Sequence, residues 1–173
     1  MRLVLRILSV LFGLAFGMPA PAQNSDAAVK AAFIYSFTKF VAWPSPDTGP
    51  LKLCLVGEAD PLLTAITGLE GKLSQGRSIR VRAAEPKTAA LKSCDLIVIG
   101  ANEESRVGAI LKEVQNSPAL TVSEIENFID AGGIIGLVTA GDRVRFEINA
   151  DAAQRANLKL SAQLLKLARS VKK

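Results

Sequence analysis

Apolar residues recur along this chain with two periods, and the period switches several times. From Asp26 to Ala42 it is helical: Val29, Phe33, Phe37 and Phe40 fall on one side, with Trp43 just beyond. Asn24 or Ser25 supplies an expected cap, and Pro44 the stop. Pro44, Pro46 and Pro50 then mark a turn, and Leu51 to Val56 reads as a short apolar strand ending at Gly57. Asp60-Pro61 starts a helix to about Leu69, a cap followed by a first-turn proline. Gly68, Gly71 and Gly76 mark a loose connection. In Ser78 to Ala83, Ile79, Val81 and Ala83 alternate with Arg80 and Arg82, which predicts a strand with one wet face near a sheet edge. Leu96 to Ile99 is wholly apolar, as a central strand covered on both faces would be. Glu103 to Val114 predicts a helix, and Leu120 to Val122 a strand. Ser123 with Glu126 reads as a capping box opening a helix that stops before Gly132-Gly133. Ile134 to Val138 and Val144 to Ile148 predict a hairpin with Gly141-Asp142 at its tip. A last helix is expected over about Asp151 to Val171.

Strands alternating with helices, then a late hairpin, predict an α/β fold: a single domain whose mostly parallel sheet is flanked by helices, with an antiparallel C-terminal hairpin. In such a sheet the strands at 51–56 and 96–99 can be neighbours, which would bring Cys54 near Cys94.

The first residues change what the chain is taken to be. Arg2 and Arg6 form a positive start, Ile7 to Phe16 an apolar run, and Ala20-Pro21-Ala22 a small-residue cleavage pattern. Residues 1–22 are therefore expected to be a secretory signal peptide, leaving one domain over 23–173 and a periplasmic location. An uncleaved anchor is the other reading, although the run is short for a bilayer. The residue after the expected cut is Gln23 and not a Cys, so no lipid anchor is expected there. Of 21 basic and 16 acidic residues, Arg2 and Arg6 belong to this segment, which leaves a net charge of +3. So mild and scattered a positive charge does not predict a nucleic-acid partner. Cys54 and Cys94, an even pair in an oxidising compartment, read as a disulfide; two buried free thiols are the alternative.

Candidate chemistry is sparse. With no histidine anywhere, Ser-His-Asp and Cys-His sites are ruled out, and no metal or cofactor is expected. No phosphate-binding or dinucleotide-binding glycine loop occurs, and Gly132-Gly133 follows an expected helix instead of opening one. A carboxylate pair for glycoside chemistry stays open, but the expectation is a protein that acts by binding and not as an enzyme. Two surfaces are candidates. Phe33, Phe37 and Trp43 either form the aromatic half of the core or wall a ligand pocket or partner groove. On a continuous last helix, Leu160, Leu164, Leu167 and Val171 form a narrow core-facing stripe. Leu158 and Leu165 lie on the other side, close to Arg169, where they are either covered inside the domain or exposed as a dimer or partner surface.

Three stretches together resemble the YfiR family of periplasmic proteins. The first is Lys30 to Pro44, with Phe33, Tyr35, Phe37, Phe40 and Trp43. The second is Leu120-Thr121-Val122-Ser123 followed by Phe128 and Gly132-Gly133-Ile134-Ile135. The third is Arg145 to Asn149, with Ala152-Ala153, Leu158-Lys159-Leu160-Ser161 and Leu164 to Ala168. The resemblance implies a mixed α/β domain that tends to dimerise. It also implies a negative regulator that restrains a membrane-bound diguanylate cyclase by binding its periplasmic sensory region, lowering cyclic di-GMP and biofilm growth. A periplasmic small-ligand-binding sensory module is the alternative. Cys54 and Cys94 look like one family bridge. A second bridge known in some members has no counterpart, since no Cys follows Cys94.

Overall fold

In the computed structural model, residues 22–44, 48–86 and 89–173 are described. The expected signal peptide falls almost wholly outside them, as does Pro46 of the turn after Pro44. Helix α1 (Ala22–Phe40) runs straight into a two-residue strand, β1 (Val41–Ala42). It already runs through Asn24 and Ser25, where a cap was expected. The remaining elements follow in order: β2 (Leu51–Val56), α2 (Pro61–Ile66), β3 (Leu73–Ser74), β4 (Arg77–Ala83), β5 (Leu96–Ile99), α3 (Val107–Glu113), β6 (Leu120–Ser123), β7 (Ile135–Ala140), β8 (Arg143–Asn149), α4 (Ala150–Arg155), β9 (Lys159–Leu160), α5 (Ala162–Leu167) and β10 (Ser170–Lys172).

Eight strands form the main sheet in the order β10-β8-β7-β6-β5-β2-β4-β3. The five central strands, β4, β2, β5, β6 and β7, run parallel, and β8 returns antiparallel to β7 across Gly141-Asp142. The expected α/β class and its antiparallel C-terminal hairpin are what the chain adopts. β2 pairs with β5, Cys54 opposite Ile97. Alternation along these strands splits the core in two. Leu53, Leu55, Leu96, Val98, Leu120 and Val122 face α1 and α2, while Cys54, Val56, Ile97 and Ile99 face α3 and Phe128. Strands buried on both sides are the reason these segments lack a polar alternation.

Asp60 starts α2 as expected, its carboxylate accepting from Leu62 N and Leu63 N. On α1 the buried apolar residues are Ala27, Ala31, Ile34 and Phe37, whereas Val29, expected in the stripe, is 45% exposed.

One expected helix does not form and another is broken. After β6, residues 126–132 are turns. Ser123 Oγ donates to Ile99 O at 2.7 Å and accepts from Ile125 N, two residues on instead of three. That bond closes a local turn that competes with helix capping. Asn127 at φ 54° then breaks the chain direction. Gly133 is needed for space: a Cβ there would lie 2.2 Å from the Phe128 ring. The last helix is likewise cut in two. Asn157, in the left-handed region at φ 56°, ends α4. The chain crosses as β9 antiparallel to β1, and Ser161 caps α5 by accepting from Leu164 N. The chain ends as β10, parallel to β8, so the sheet extends one strand beyond the hairpin.

Lys30 ties α1 to the loop after β6. Its ammonium meets Asp26 at 2.5 Å and Glu124 at 2.6 Å. Burial alone would lower its pKa, but the hydrogen bonds it donates to the two carboxylates outweigh that and raise it above the ordinary 10.5. A raised folded pKa means stability that is complete below the unfolded value and lost as pH climbs through the folded one. Wild-type urea midpoints measured from about pH 9 to about pH 12 should therefore fall more steeply than those of Lys30→Met. Parallel slopes would show that the pair does not act this way.

Candidate functional site

The best-defined chemical feature is the disulfide between Cys54, on β2, and Cys94, just before β5. It forms because β2 and β5 are paired neighbours and both side chains turn to the α3 face of the sheet. Cys54 and Cys94 are 0% and 3% exposed. Arg82 on β4 reaches over both sulfurs. Its Nε lies 3.2 Å from Cys54 Sγ, and its Nη2 lies 3.4 Å from Cys94 Sγ. The same Nη2 donates to Ala90 O and Ser93 Oγ. Strand alternation identified Arg82 only as a polar-face residue. Its meeting with the bridge follows from the register that sets Cys54 opposite Arg82, which a single sequence does not display.

The aromatic candidates pack on one another. Phe37 is fully buried, its ring centroid 5.0 Å from that of Phe146 on β8 and 6.2 Å from that of Phe33. Phe33 also lies 5.9 Å from Phe146. Phe146 thus packs against both helix rings. Trp43 is half-buried and donates its indole N–H to Asp95 O at 2.9 Å.

The C-terminal candidates separate. Leu158, expected on a partner surface, is 5% exposed and packs in the main core. Leu167, expected on the core side, is 60% exposed. Both reversals come from the break at Asn157 to Ser161, which removes the single helical register on which the two faces were drawn. Leu164 points inward and Leu165 is half-buried against the core. Leu165 also edges a shallow, open hollow with Ala162, Gln163 and Lys166. Arg169 is more than half exposed, its Nε 3.7 Å from Glu147. Lys166, Leu167 and Arg169 remain exposed and Leu165 partly so.

A family model described as YfiR/HmsC-like matches residues 27–169. The chain belongs to that family. Its match takes in the bridge, the aromatic face and the segment through Arg169, and it bears out the resemblance carried by the three stretches. That family is regulatory rather than catalytic. Among solved structures, a conserved domain protein from Vibrio cholerae O1 biovar El Tor matches at TM-score 0.59 and 14% identity. The ABC domain from Streptococcus pneumonia, solved in complex with L-Trp, matches at TM-score 0.53 and 14% identity. Each match covers 84% of this chain and 60% of the other. At that identity the likeness is one of fold. This chain spans about 60% of the length of those structures.

Proposed function

We propose that this protein is a periplasmic regulatory subunit that binds the periplasmic sensory region of an inner-membrane diguanylate cyclase and inhibits it. It would thereby lower cyclic di-GMP and biofilm formation, and it would act as a homodimer. The observation that carries this reading is the family match over residues 27–169. Two features support it. A buried disulfide suits an oxidising compartment. Leu167, 60% exposed at the end of α5, leaves an apolar side chain at the surface with the exposed Lys166 next to it in the chain. Exposed leucine beside a basic side chain suits a partner with an apolar patch and acidic neighbours.

The direct experiment is crosslinking of the protein in intact cells, purification under denaturing conditions and mass spectrometry of what is attached. Recovery of an inner-membrane diguanylate cyclase, with cyclic di-GMP rising on deletion, is the expected result. Self-crosslinked dimers alone, with cyclic di-GMP unchanged on deletion, would overturn it and favour the alternative of a small-ligand sensory module. Leu167→Lys sharpens the test. Leu167 is 60% exposed, so the substitution should shift the melting midpoint by no more than about 1–2 °C. It should still cut the crosslink to the cyclase by about tenfold if this spot is the contact. An undiminished crosslink in Leu167→Lys would move the contact elsewhere.

A further inference from the structure

Where β6 and β7 begin, four segments meet: the last turn of α3, the start of β6, the loop leading into β7, and α4. They bound a cleft of about 280 Å³. Leu120 and Val122 face α1 and α2. Strand alternation turns Thr121, between them, to the opposite side, where it forms part of the cleft wall. Lys112, on α3, Gln115, just after it, and Arg155, on α4, also line the cleft. Leu111, Ile134 and Ala152 supply apolar wall.

The charge of this cleft is one-sided. Lys112 and Arg155 are exposed, and neither has an ion-pair partner among the described residues. No carboxylate lines the cleft. The acids close by in sequence are engaged elsewhere: Glu113 pairs with Lys92 at 3.2 Å and Asp130 with Lys172 at 2.7 Å. Asp151, one helical turn before Arg155, makes no ion pair with it. Asp47 is the one acidic residue outside the described residues. It stands two residues before Gly49, whose carbonyl accepts from Arg77 on β4, three strands from β6. Helix C-termini carry partial negative charge, but the carbonyls that close these two helices are already taken. Ile110 O accepts from Val114 N, Lys112 O from Gln115 N, Ala152 O from Ala156 N and Gln154 O from Asn157 N.

The Thr121 hydroxyl is a second, independent observation. The residue is 4% exposed. Its Oγ1 accepts from Ile134 N at 3.0 Å, while its own hydrogen has no acceptor among the described residues. A hydroxyl donates as well as accepts, and a buried donor left unspent costs stability. The walls are also fixed in shape. Ile134 N is tied to Thr121, Asn149 N donates to Ile134 O at 2.8 Å, and Asn149 Oδ1 accepts from Ala152 N at 2.9 Å. β6, the loop before β7 and α4 are therefore joined before anything binds, and a site held in shape loses little entropy when it is filled. We propose that this cleft binds a small organic dicarboxylate. Lys112 and Arg155 take its carboxylates, one oxygen accepts from the Thr121 hydroxyl, and the carbon spacer lies on the apolar wall. The proposal does not depend on the cyclase reading.

The test is a titration of ¹⁵N-labelled protein with succinate at constant ionic strength, followed by amide shifts. Succinamide is the uncharged control of the same shape, and sulfate the control for a general attraction of anions. Saturable shifts centred on Lys112, Gln115, Thr121, Gly132 and Arg155 are expected with succinate and with neither control. Lys112→Gln and Arg155→Gln replace exposed side chains, so both variants should fold. Each should weaken succinate by about fivefold or more. No saturable shift with succinate, matching shifts with sulfate or succinamide, or an affinity unchanged in both variants would each overturn the proposal and leave Lys112 and Arg155 as solvated charges at helix ends.

Discussion

A chain carrying Cys54→Ala and Cys94→Ala is expected to be about 4 kcal/mol less stable than the wild type, and to melt roughly 10 °C lower. The bridge closes a loop of 40 residues, and in the chain-entropy picture most of its effect lies in the unfolded state, which it confines. The loop holds α2, β3, β4 and the approach to β5. A reduced chain must bring β2 and β5 together without that constraint. Alanine is the right replacement, because Cys54 and Cys94 sit in an apolar cluster with Leu91, Ile97 and Ile110, where a serine hydroxyl would add a desolvation cost of its own. The measurement is urea unfolding with and without reductant. Reductant should bring the wild type close to the variant and leave the variant unmoved. A wild-type midpoint that ignores complete reduction would show that the fold does not draw on the bridge. Arg82 adds an expectation about how readily the bridge opens. With its guanidinium 3.2 and 3.4 Å from the two sulfurs, it stabilises the thiolate that reduction releases.

What the sequence displayed and what it hid divide along a physical line. Leu53 to Val56 and Leu96 to Ile99 were readable because a strand buried on both faces has to be apolar at every position, and few other structures ask for that. The hairpin was readable because Gly141 accepts the positive φ its tip needs. The last helix was misread because residues 151–171 contain neither Gly nor Pro, so nothing forbade one long helix. The signals that decided the outcome were weaker: an asparagine at 157 able to enter the left-handed region, and a serine at 161 able to cap. The strand between them is set by tertiary pairing, Val41 with Leu160 and Ala42 with Lys159, and pairing between distant segments leaves no periodicity in either one. Ser123 and Glu126 illustrate the same limit. The residue pattern of a capping box was present, yet Ser123 Oγ is spent on Ile99 O and Ile125 N. Of the candidate site, the cysteine pair was legible from its count and compartment. Arg82 over the sulfurs depends on strand register, which only the folded chain supplies.

Phe37→Ala is the substitution that separates an aromatic core from an aromatic pocket, and it is expected to destabilise the fold by about 3–5 kcal/mol. Phe37 is 1% exposed. Its ring meets Phe146 in a T-shaped contact at 5.0 Å and tilts against Phe33 at 6.2 Å. The cost therefore has two parts: the transfer of a large apolar side chain with the cavity left behind, and the ring-edge contacts, which add about 0.5–1.5 kcal/mol beyond burial. The loss should fall on one joint. Phe33 and Phe37 lie on α1 and Phe146 on β8, so the trio holds α1 against the antiparallel side of the sheet, which β10 then extends. Hydrogen exchange in Phe37→Ala should accelerate first in α1 and β8, and later in β2 and β5, which the disulfide and central position protect. Phe37→Leu keeps most of the volume and should lose clearly less than the alanine variant. If Phe37→Ala costs less than about 1 kcal/mol, as a solvent-facing pocket wall would, the rings do not carry the packing assigned to them. A loss in the expected range, concentrated where α1 meets β8, would establish these aromatics as the clamp that seats the first helix of the domain.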